Sequence, residues 1–185
     1  MAMPLPGGLL SLEDWDALPE DNSAHYELQE GVLIVSPKLA KRHQKAMVRL
    51  TSQIESQCPP ELEAVADSEV LVQAEVPPTV RAPDVLVARA GEWQRQVSAA
   101  EVLLAVEIIS PGSRKMDLHF KAFEYAEAGI PHYWVVDLDP PAPSITVFAL
   151  GVPGDGYVES LRDVTGELVV TEPFPLTIDI TRLAD

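Results

Sequence analysis

The chain has 185 residues and a mass of 20.1 kDa, about the length of one domain. Its 46% apolar and 23% charged residues, with a mean hydropathy of +0.06, are typical of globular proteins and exclude fibrous and disordered classes. Taken for the whole chain, the formal net charge of −16 argues against a nucleic-acid partner. No apolar run is long enough to span a membrane and the first residues lack the basic start of a signal peptide, so we expect one cytoplasmic domain over residues 1–185, with no membrane partner.

The charges are unevenly distributed along the chain. Residues 1–36 contain seven acidic side chains and no Lys or Arg, whereas residues 37–50 contain five basic side chains and no acid. The basic residues are Lys38, Lys41, Arg42, Lys45 and Arg49. This local positive charge is the surface that a polyanion would approach, although a solvated helix face gives the same pattern.

The first part of the chain predicts a short helix, a hairpin and an amphipathic helix. Ser11 is a helix cap with acids after it, which predicts a helix that ends near Pro19. Residues 26–35 read as two strands around a tight turn that ends at Gly31. Apolar residues then recur at helical spacing over residues 38–57, with the bases mainly on the opposite side, until Pro59 and Pro60 stop the helix.

The remainder of the chain predicts a sheet with one helical crossover. We expect strands in residues 64–73, 79–88 and 102–109, and the last of these is apolar enough to be a central strand buried on both faces. A helix over about residues 114–128 and a strand over 133–136 complete a crossover. Residues 144–149, 156–160 and 166–180 are predicted to be edge strands.

Two acidic residues stand on the predicted strands. Asp84 precedes the apolar run that begins at Val85, so its side chain can point into a cleft at the start of a strand. Glu107 lies within the apolar run 102–109, where burial of a carboxylate is costly without a partner. A bound metal ion would satisfy Glu107, and the alternative is an internal salt bridge with Lys or Arg.

The helix predicted after the central strand supplies a lysine. Asp117, Lys121 and Tyr125 recur at four-residue spacing, which is also the spacing of a common surface ion pair. Two carboxylates that bind Mg²⁺, with an ammonium that orients the attacking water, form the set of groups that phosphodiester hydrolysis needs. His43 lies on the apolar side of its helix, where a core histidine is favoured over a proton shuttle.

An ordered series of motifs covers most of the chain. It comprises Tyr26-Glu27-Leu28 with Glu30-Gly31, Ser36-Pro37, His43-Gln44, Pro83-Asp84-Val85, Val106-Glu107-Ile108-Ile109-Ser110-Pro111, the Asp117, Lys121 and Tyr125 set, and Ala128-Gly129-Ile130-Pro131-His132-Tyr133-Trp134-Val135-Val136-Asp137. On these residues the chain resembles the Uma2 family, also called DUF820, of endonucleases with the restriction-endonuclease-like PD-(D/E)XK fold. The resemblance implies an α/β (α+β) domain with a central mixed sheet flanked by helices, an N-terminal hairpin and C-terminal edge strands.

The resemblance also implies roles for individual residues. Asp84 matches the aspartate of the PD motif and Glu107 the second acid, and with the main-chain carbonyl of Ile108 they would hold Mg²⁺ or Mn²⁺. The family's E-x-K lysine position is occupied by Ile109, so Lys121 is the candidate for a lysine that has migrated to the next helix. Glu27 is an accessory acid on this interpretation, or else an exposed strand residue.

The sequence therefore predicts a metal-dependent DNA endonuclease, with residues 38–49, Arg114 and Lys115 facing DNA. By analogy of fold we expect a homodimer. The alternative hypothesis is a non-catalytic protein of the same fold with a regulatory or partner-binding role, which the net charge of −16 favours.

Overall fold

The computed structural model describes residues 8–19, 24–93, 95–109, 120–139 and 141–184. The helices are α1 Leu12–Asp16, α2 Lys41–Glu55 and α3 Ala122–Glu127. The strands are β1 His25–Gln29, β2 Val32–Ser36, β3 Leu62–Ala66, β4 Val70–Gln73, β5 Thr79–Arg81, β6 Val85–Arg89, β7 Val97–Ser98, β8 Val102–Ile109, β9 His132–Asp137, β10 Ser144–Leu150, β11 Tyr157–Val164, β12 Glu167–Val170 and β13 Leu176–Asp179.

The predicted hairpin is formed by β1 and β2. Glu30 and Gly31 both have positive φ, 46° and 76°, which is the conformation of a two-residue type I′ turn. Gly31 suits this turn because it adopts positive φ without steric cost. The hairpin belongs to a five-stranded sheet in the order β2-β1-β5-β4-β7.

A six-stranded mixed sheet forms the centre of the molecule, in the order β11-β10-β9-β8-β6-β3. The strand β8 has the predicted bounds 102–109, and it pairs antiparallel with β6 and parallel with β9. Leu104, Val106 and Ile108 of β8 share a core with the buried face of α2. Ala105 and Ile109 share a second core with Tyr125 of α3. The α+β class, the central mixed sheet and the flanking helices are thus confirmed.

Several predicted strands differ from the structure. The run 64–73 divides into β3 and β4, and the run 79–88 divides into β5 and β6, with each pair split between the two large sheets. The run 166–180 is the hairpin β12–β13, which forms a two-stranded sheet. The strand β10 is not an edge strand, because β9 and β11 flank it. Of the helix predicted over 114–128, the structure gives α3, and residues 110–119 lie outside the described part.

None of the helices in the described part of the chain is both long enough and apolar enough to cross a membrane.

Candidate active site

The candidate residues meet where the chain passes from one large sheet to the other. The strand β5 belongs to the five-stranded sheet and β6 to the six-stranded sheet, and Asp84 lies in the short link between them. The register of β6 and β8 pairs Val85 with Val106, so by continuation Asp84 comes opposite Glu107. Asp84 itself stands just before β6; its side chain meets His43 of α2, whereas that of Glu107 meets Lys121 and Tyr125.

The Asp84 carboxylate is held by a side chain and by a backbone amide. Its Oδ1 atom is 2.7 Å from His43 Nε2, and its Oδ2 atom accepts a hydrogen bond of 2.6 Å from the Ile108 N–H. Asp84 and His43 are 8% and 9% exposed. The predicted burial of His43 is confirmed, and the structure adds its contact with Asp84. His43 and the Ile108 N–H together fix the Asp84 carboxylate between α2 and the end of β8.

The Glu107 carboxylate is surrounded by donors. Lys121 Nζ lies 3.1 Å from both Oε1 and Oε2, and the Tyr125 hydroxyl donates a hydrogen bond of 2.9 Å to Oε1. Glu107 is 3% exposed, so these partners compensate for the loss of water that burial of the carboxylate entails. The internal ion pair with a lysine, which the sequence left as one of two alternatives, is therefore present.

Lys121 lies immediately before α3, in a helical turn that continues into it, with a φ of −64° and a ψ of −40°. From this position its ammonium also reaches the five-stranded sheet, where Nζ is 3.0 Å from Glu27 Oε1. Tyr125 lies four residues later, which places its side chain on the same side of the helical turn. The start of α3 thus brings Lys121 and Tyr125 to the Glu107 carboxylate on the six-stranded sheet.

Glu27 is 5% exposed, so the alternative of an exposed strand residue is wrong for this side chain. Its Oε1 atom accepts a hydrogen bond of 3.1 Å from the Ala82 N–H, and its Oε2 atom is 3.2 Å from Arg81 Nη1. Burial raises the pKa of Glu27, but the charges of Lys121 and Arg81 outweigh that effect and hold it below its ordinary value. Glu27 is therefore an anion within this cluster at neutral pH.

The sequence analysis missed Arg81 and Glu124. Arg81 is fully buried, and its Nε and Nη2 atoms donate hydrogen bonds of 2.6 and 2.8 Å to the two carboxylate oxygens of Glu124. The pairing of Leu28 with Val80 places Arg81 opposite Glu27 across β1 and β5. A basic residue between the apolar Val80 and Ala82 is a signal that could have indicated a buried ion pair.

The tyrosine next to Glu107 is a neutral donor. Tyr125 is fully buried, and burial, together with the neighbouring charge of Glu107, raises its pKa well above the ordinary value. A phenol that stays protonated donates its hydrogen to the carboxylate over the whole physiological pH range. Tyr125 therefore contributes orientation, whereas Lys121 contributes charge.

The basic residues predicted to face DNA differ in their surroundings. Lys38, Lys41 and Lys45 are exposed on or just before α2. Arg42 donates a hydrogen bond to the Leu138 carbonyl oxygen, and Arg49 donates one of 3.0 Å to the Arg182 carbonyl oxygen. The two arginines therefore help to hold α2 against the segment after β9 and the short helical turn at residues 180–183. Arg114 and Lys115 lie outside the described residues.

The candidate ligands fit a hard divalent cation. Asp84 and Glu107 offer carboxylate oxygens, each of which can accept more than the hydrogen bonds described above. Within residues 8–19, 24–93, 95–109, 120–139 and 141–184 there is no group of three or more His, Cys, Asp or Glu side chains that could hold a metal. Mg²⁺ commonly binds through one or two carboxylates and keeps several waters, so this pair of acids suits it better than Zn²⁺.

Comparisons with known proteins identify the family and a shared fold. No curated protein matches the chain. The crystal structure of "a putative nuclease belonging to DUF820" from Anabaena variabilis ATCC 29413 is similar in fold, with a TM-score of 0.69 at 19% identity, over 94% of this chain and 97% of the other. Residues 12–182 match the family Uma2, described as "Putative restriction endonuclease", so this chain belongs to the Uma2 family.

Proposed function

We propose that the protein is an endonuclease that hydrolyses phosphodiester bonds in DNA with the help of Mg²⁺ or Mn²⁺. The observation that carries the proposal is the buried Glu107 carboxylate, which lies opposite Asp84 in strand register and has the Lys121 ammonium 3.1 Å from both of its oxygens. Membership of a family described as restriction endonucleases supports it, as does the shared fold of a protein described as a nuclease.

Asp84, Glu107 and the Ile108 carbonyl are the proposed ligands of the cation. The Ile108 N–H points toward Asp84, and within an extended strand the N–H and C=O of one residue point to the same side. All three oxygen groups therefore belong to the same end of β6 and β8. A divalent cation bound there would supply charge to stabilise the pentavalent phosphate and acidity to generate the attacking hydroxide.

Lys121 is the proposed residue that positions the attacking water. Ile109, at the family's lysine position, is 7% exposed and belongs to the same buried core as Val135, so it has no polar group to offer. The Lys121 side chain reaches the same carboxylate from the start of α3. Its ammonium can orient a water molecule next to Glu107 and can neutralise charge that develops on the phosphate.

DNA would approach the site along α2. The exposed Lys38, Lys41 and Lys45 can contact phosphates of the backbone on this route. His43 belongs to the same helix and contacts Asp84, so the basic surface and the proposed metal ligands are joined by one element. The homodimer and the contributions of Arg114 and Lys115 stay predictions from the sequence.

The test is cleavage of supercoiled plasmid at low salt in Mg²⁺ or Mn²⁺. We expect the wild type to nick or linearise the plasmid, and the Glu107→Gln and Lys121→Ala variants to be slower by about 100-fold or more, as for the loss of other groups that stabilise charge in a transition state. Glu101→Gln, which removes an exposed acid paired with Arg89, is the control and should cleave like the wild type. Circular dichroism checks that each variant is folded.

If the wild type and Glu107→Gln leave the plasmid equally intact in both metals, the nuclease proposal fails. The partner-binding alternative would then account for the acidic surface better. A wild type that cleaves while Lys121→Ala cleaves equally fast would instead remove Lys121 from the proposed mechanism.

A further inference from the structure

A second layer of charged residues lies behind the proposed site. Arg81 makes contacts with Glu124 at 2.6 and 2.8 Å and with Glu27 at 3.2 Å, and Glu27 in turn contacts Lys121 at 3.0 Å. This arrangement joins β5, β1 and the start of α3 in one buried cluster. The proposed hydrolysis gives neither Arg81 nor Glu124 a role.

Lys121 is shared between two carboxylates. Its Nζ atom is 3.0 Å from Glu27 and 3.1 Å from each oxygen of Glu107. An ammonium midway between two anions shifts toward the one with the less compensated charge. Arg81 compensates Glu27 from the other side, so it weakens the attraction of Glu27 for Lys121.

Arg81 is itself shared. Its guanidinium makes a two-point contact with Glu124 and a single, longer contact with Glu27. Two parallel hydrogen bonds from a guanidinium to a carboxylate fix both its distance and its orientation. Glu124 thereby determines how closely Arg81 can approach Glu27.

We propose that Arg81, anchored by Glu124, is a positioning residue that sets how Lys121 divides between Glu27 and Glu107. Because an ammonium close to Glu107 repels a cation at the same carboxylate, this division tunes the affinity of the site for a divalent ion. The inference rests on the proposed function for the role of Glu107 as a ligand. It goes beyond that function by giving a task to two residues that touch neither DNA nor metal.

The test is the double variant Arg81→Met/Glu124→Gln, which removes one cation and one anion and leaves the net charge unchanged. Replacement of a whole buried ion pair by residues of similar volume is often tolerated, whereas removal of one partner is not. Without Arg81, the attraction of Glu27 for Lys121 grows and the ammonium moves away from Glu107. We expect Mn²⁺ to bind about fivefold more tightly, in line with a modest electrostatic coupling, when binding is measured by calorimetry without DNA.

Plasmid cleavage at saturating Mn²⁺ gives the second readout. Lys121 would be drawn away from the place where it orients water, so we expect cleavage to be at least about tenfold slower. Tighter Mn²⁺ binding together with slower cleavage distinguishes a positioning role from general damage to the site, because a distorted site would show both weaker binding and slower cleavage. The matched control is Arg162→Met/Glu159→Gln, which removes an exposed ion pair on β11 with the same charge balance and should change neither quantity.

Unchanged or weaker Mn²⁺ binding by the folded double variant overturns the inference. If the double variant does not fold, the single variant Glu124→Gln decides. It frees Arg81 to move toward Glu27, so Lys121 can move toward Glu107, and we expect Mn²⁺ binding to weaken. Equal or tighter Mn²⁺ binding by this variant overturns the inference. A wild type that binds no Mn²⁺ also overturns it. If the wild type binds Mn²⁺ but never cuts DNA, the proposed function fails, whereas the order of affinities still decides this inference.

Discussion

His25 and Asp67 form an ion pair near the candidate site. His25 Nδ1 is 3.3 Å from Asp67 Oδ1, and the Asp67 N–H donates a hydrogen bond of 3.2 Å to the backbone carbonyl of Asp84. Asp67 has a φ of 51°, a conformation in which Asp and Asn are tolerated better than most residues. The hydrogen bond that the His25 ring donates to Asp67 raises the pKa of His25, against a smaller opposite effect of burial, and the charge of Glu27 raises it further.

This pair predicts a pH-dependent contribution to stability. The pKa of His25 is raised above its ordinary value of 6.5, so the stabilisation is complete below pH 6.5 and disappears as the pH rises through the folded-state value. Asp67 stays ionised throughout, since His25 also lowers its pKa. The Asp67 side chain is 50% exposed and therefore screened by water, so we expect a coupling of about 0.5 kcal/mol. A double-mutant cycle of His25→Gln and Asp67→Asn, followed by urea unfolding, should give this coupling free energy at pH 5.5 and none at pH 9. Equal coupling free energies at the two pH values would contradict this prediction.

At the level of residues, the sequence predicts the acids of the candidate site better than their cationic neighbours. Glu107 stands out because a carboxylate is costly within an apolar run, and Asp84 because it begins one; continuation of the strand register brings the two opposite each other. Arg81 escaped notice because its partners come from β1 and α3, at sequence separations of 54 and 43 residues. Such pairs depend on the register of one sheet and its distance from a helix, neither of which local spacing encodes.

At the level of elements, the differences between predicted and observed strands have one physical cause. Residues 64–73 and 79–88 each read as one β-rich run, but each supplies a strand to both large sheets. The polar pair Asp67-Ser68 and the pair Pro83-Asp84 mark the turns, and local propensity does not show whether a strand resumes in the same sheet. The strand β8 was predicted with its observed bounds because burial on both faces makes it apolar throughout.

The helix α2 offers a prediction about the packing that supports the site. Leu50 is fully buried between α2 and the central sheet, in the same core as Val85 and Val106. Leu50→Ala should lower the free energy of unfolding by about 2–5 kcal/mol, from lost burial and the cavity left behind. Val48, on the same helix, is 61% exposed, so Val48→Ala should change the stability by less than about 0.5 kcal/mol. Urea denaturation of both variants checks this; similar losses would mean that α2 does not pack as described.

On the scale of the whole molecule, the charge is divided between regions. The net charge is −16, yet residues 37–50 contain five bases and no acid. A polyanion is repelled by most of such a surface, so the orientation in which it can approach is restricted to α2. The acidic site behind α2 would admit a phosphate more readily with a divalent cation present, because the cation inverts the local charge.

This division of charge predicts how DNA binding depends on salt. Each phosphate contact contributes about 0.9 to the slope of log K against log salt concentration, so the triple variant Lys38→Gln/Lys41→Gln/Lys45→Gln should bind a short duplex more weakly, with a slope smaller by up to about 3. Fluorescence anisotropy in Ca²⁺, which takes the same oxygen ligands as Mg²⁺, measures this while a gel shows that the duplex stays intact. Arg89→Gln/Arg162→Gln removes two exposed bases elsewhere and is the control. On the proposed approach of DNA along α2, the control should lower the overall affinity only slightly and leave the slope unchanged. If its slope falls as much per charge removed as that of the triple variant, binding is diffuse and α2 is not the DNA-facing surface.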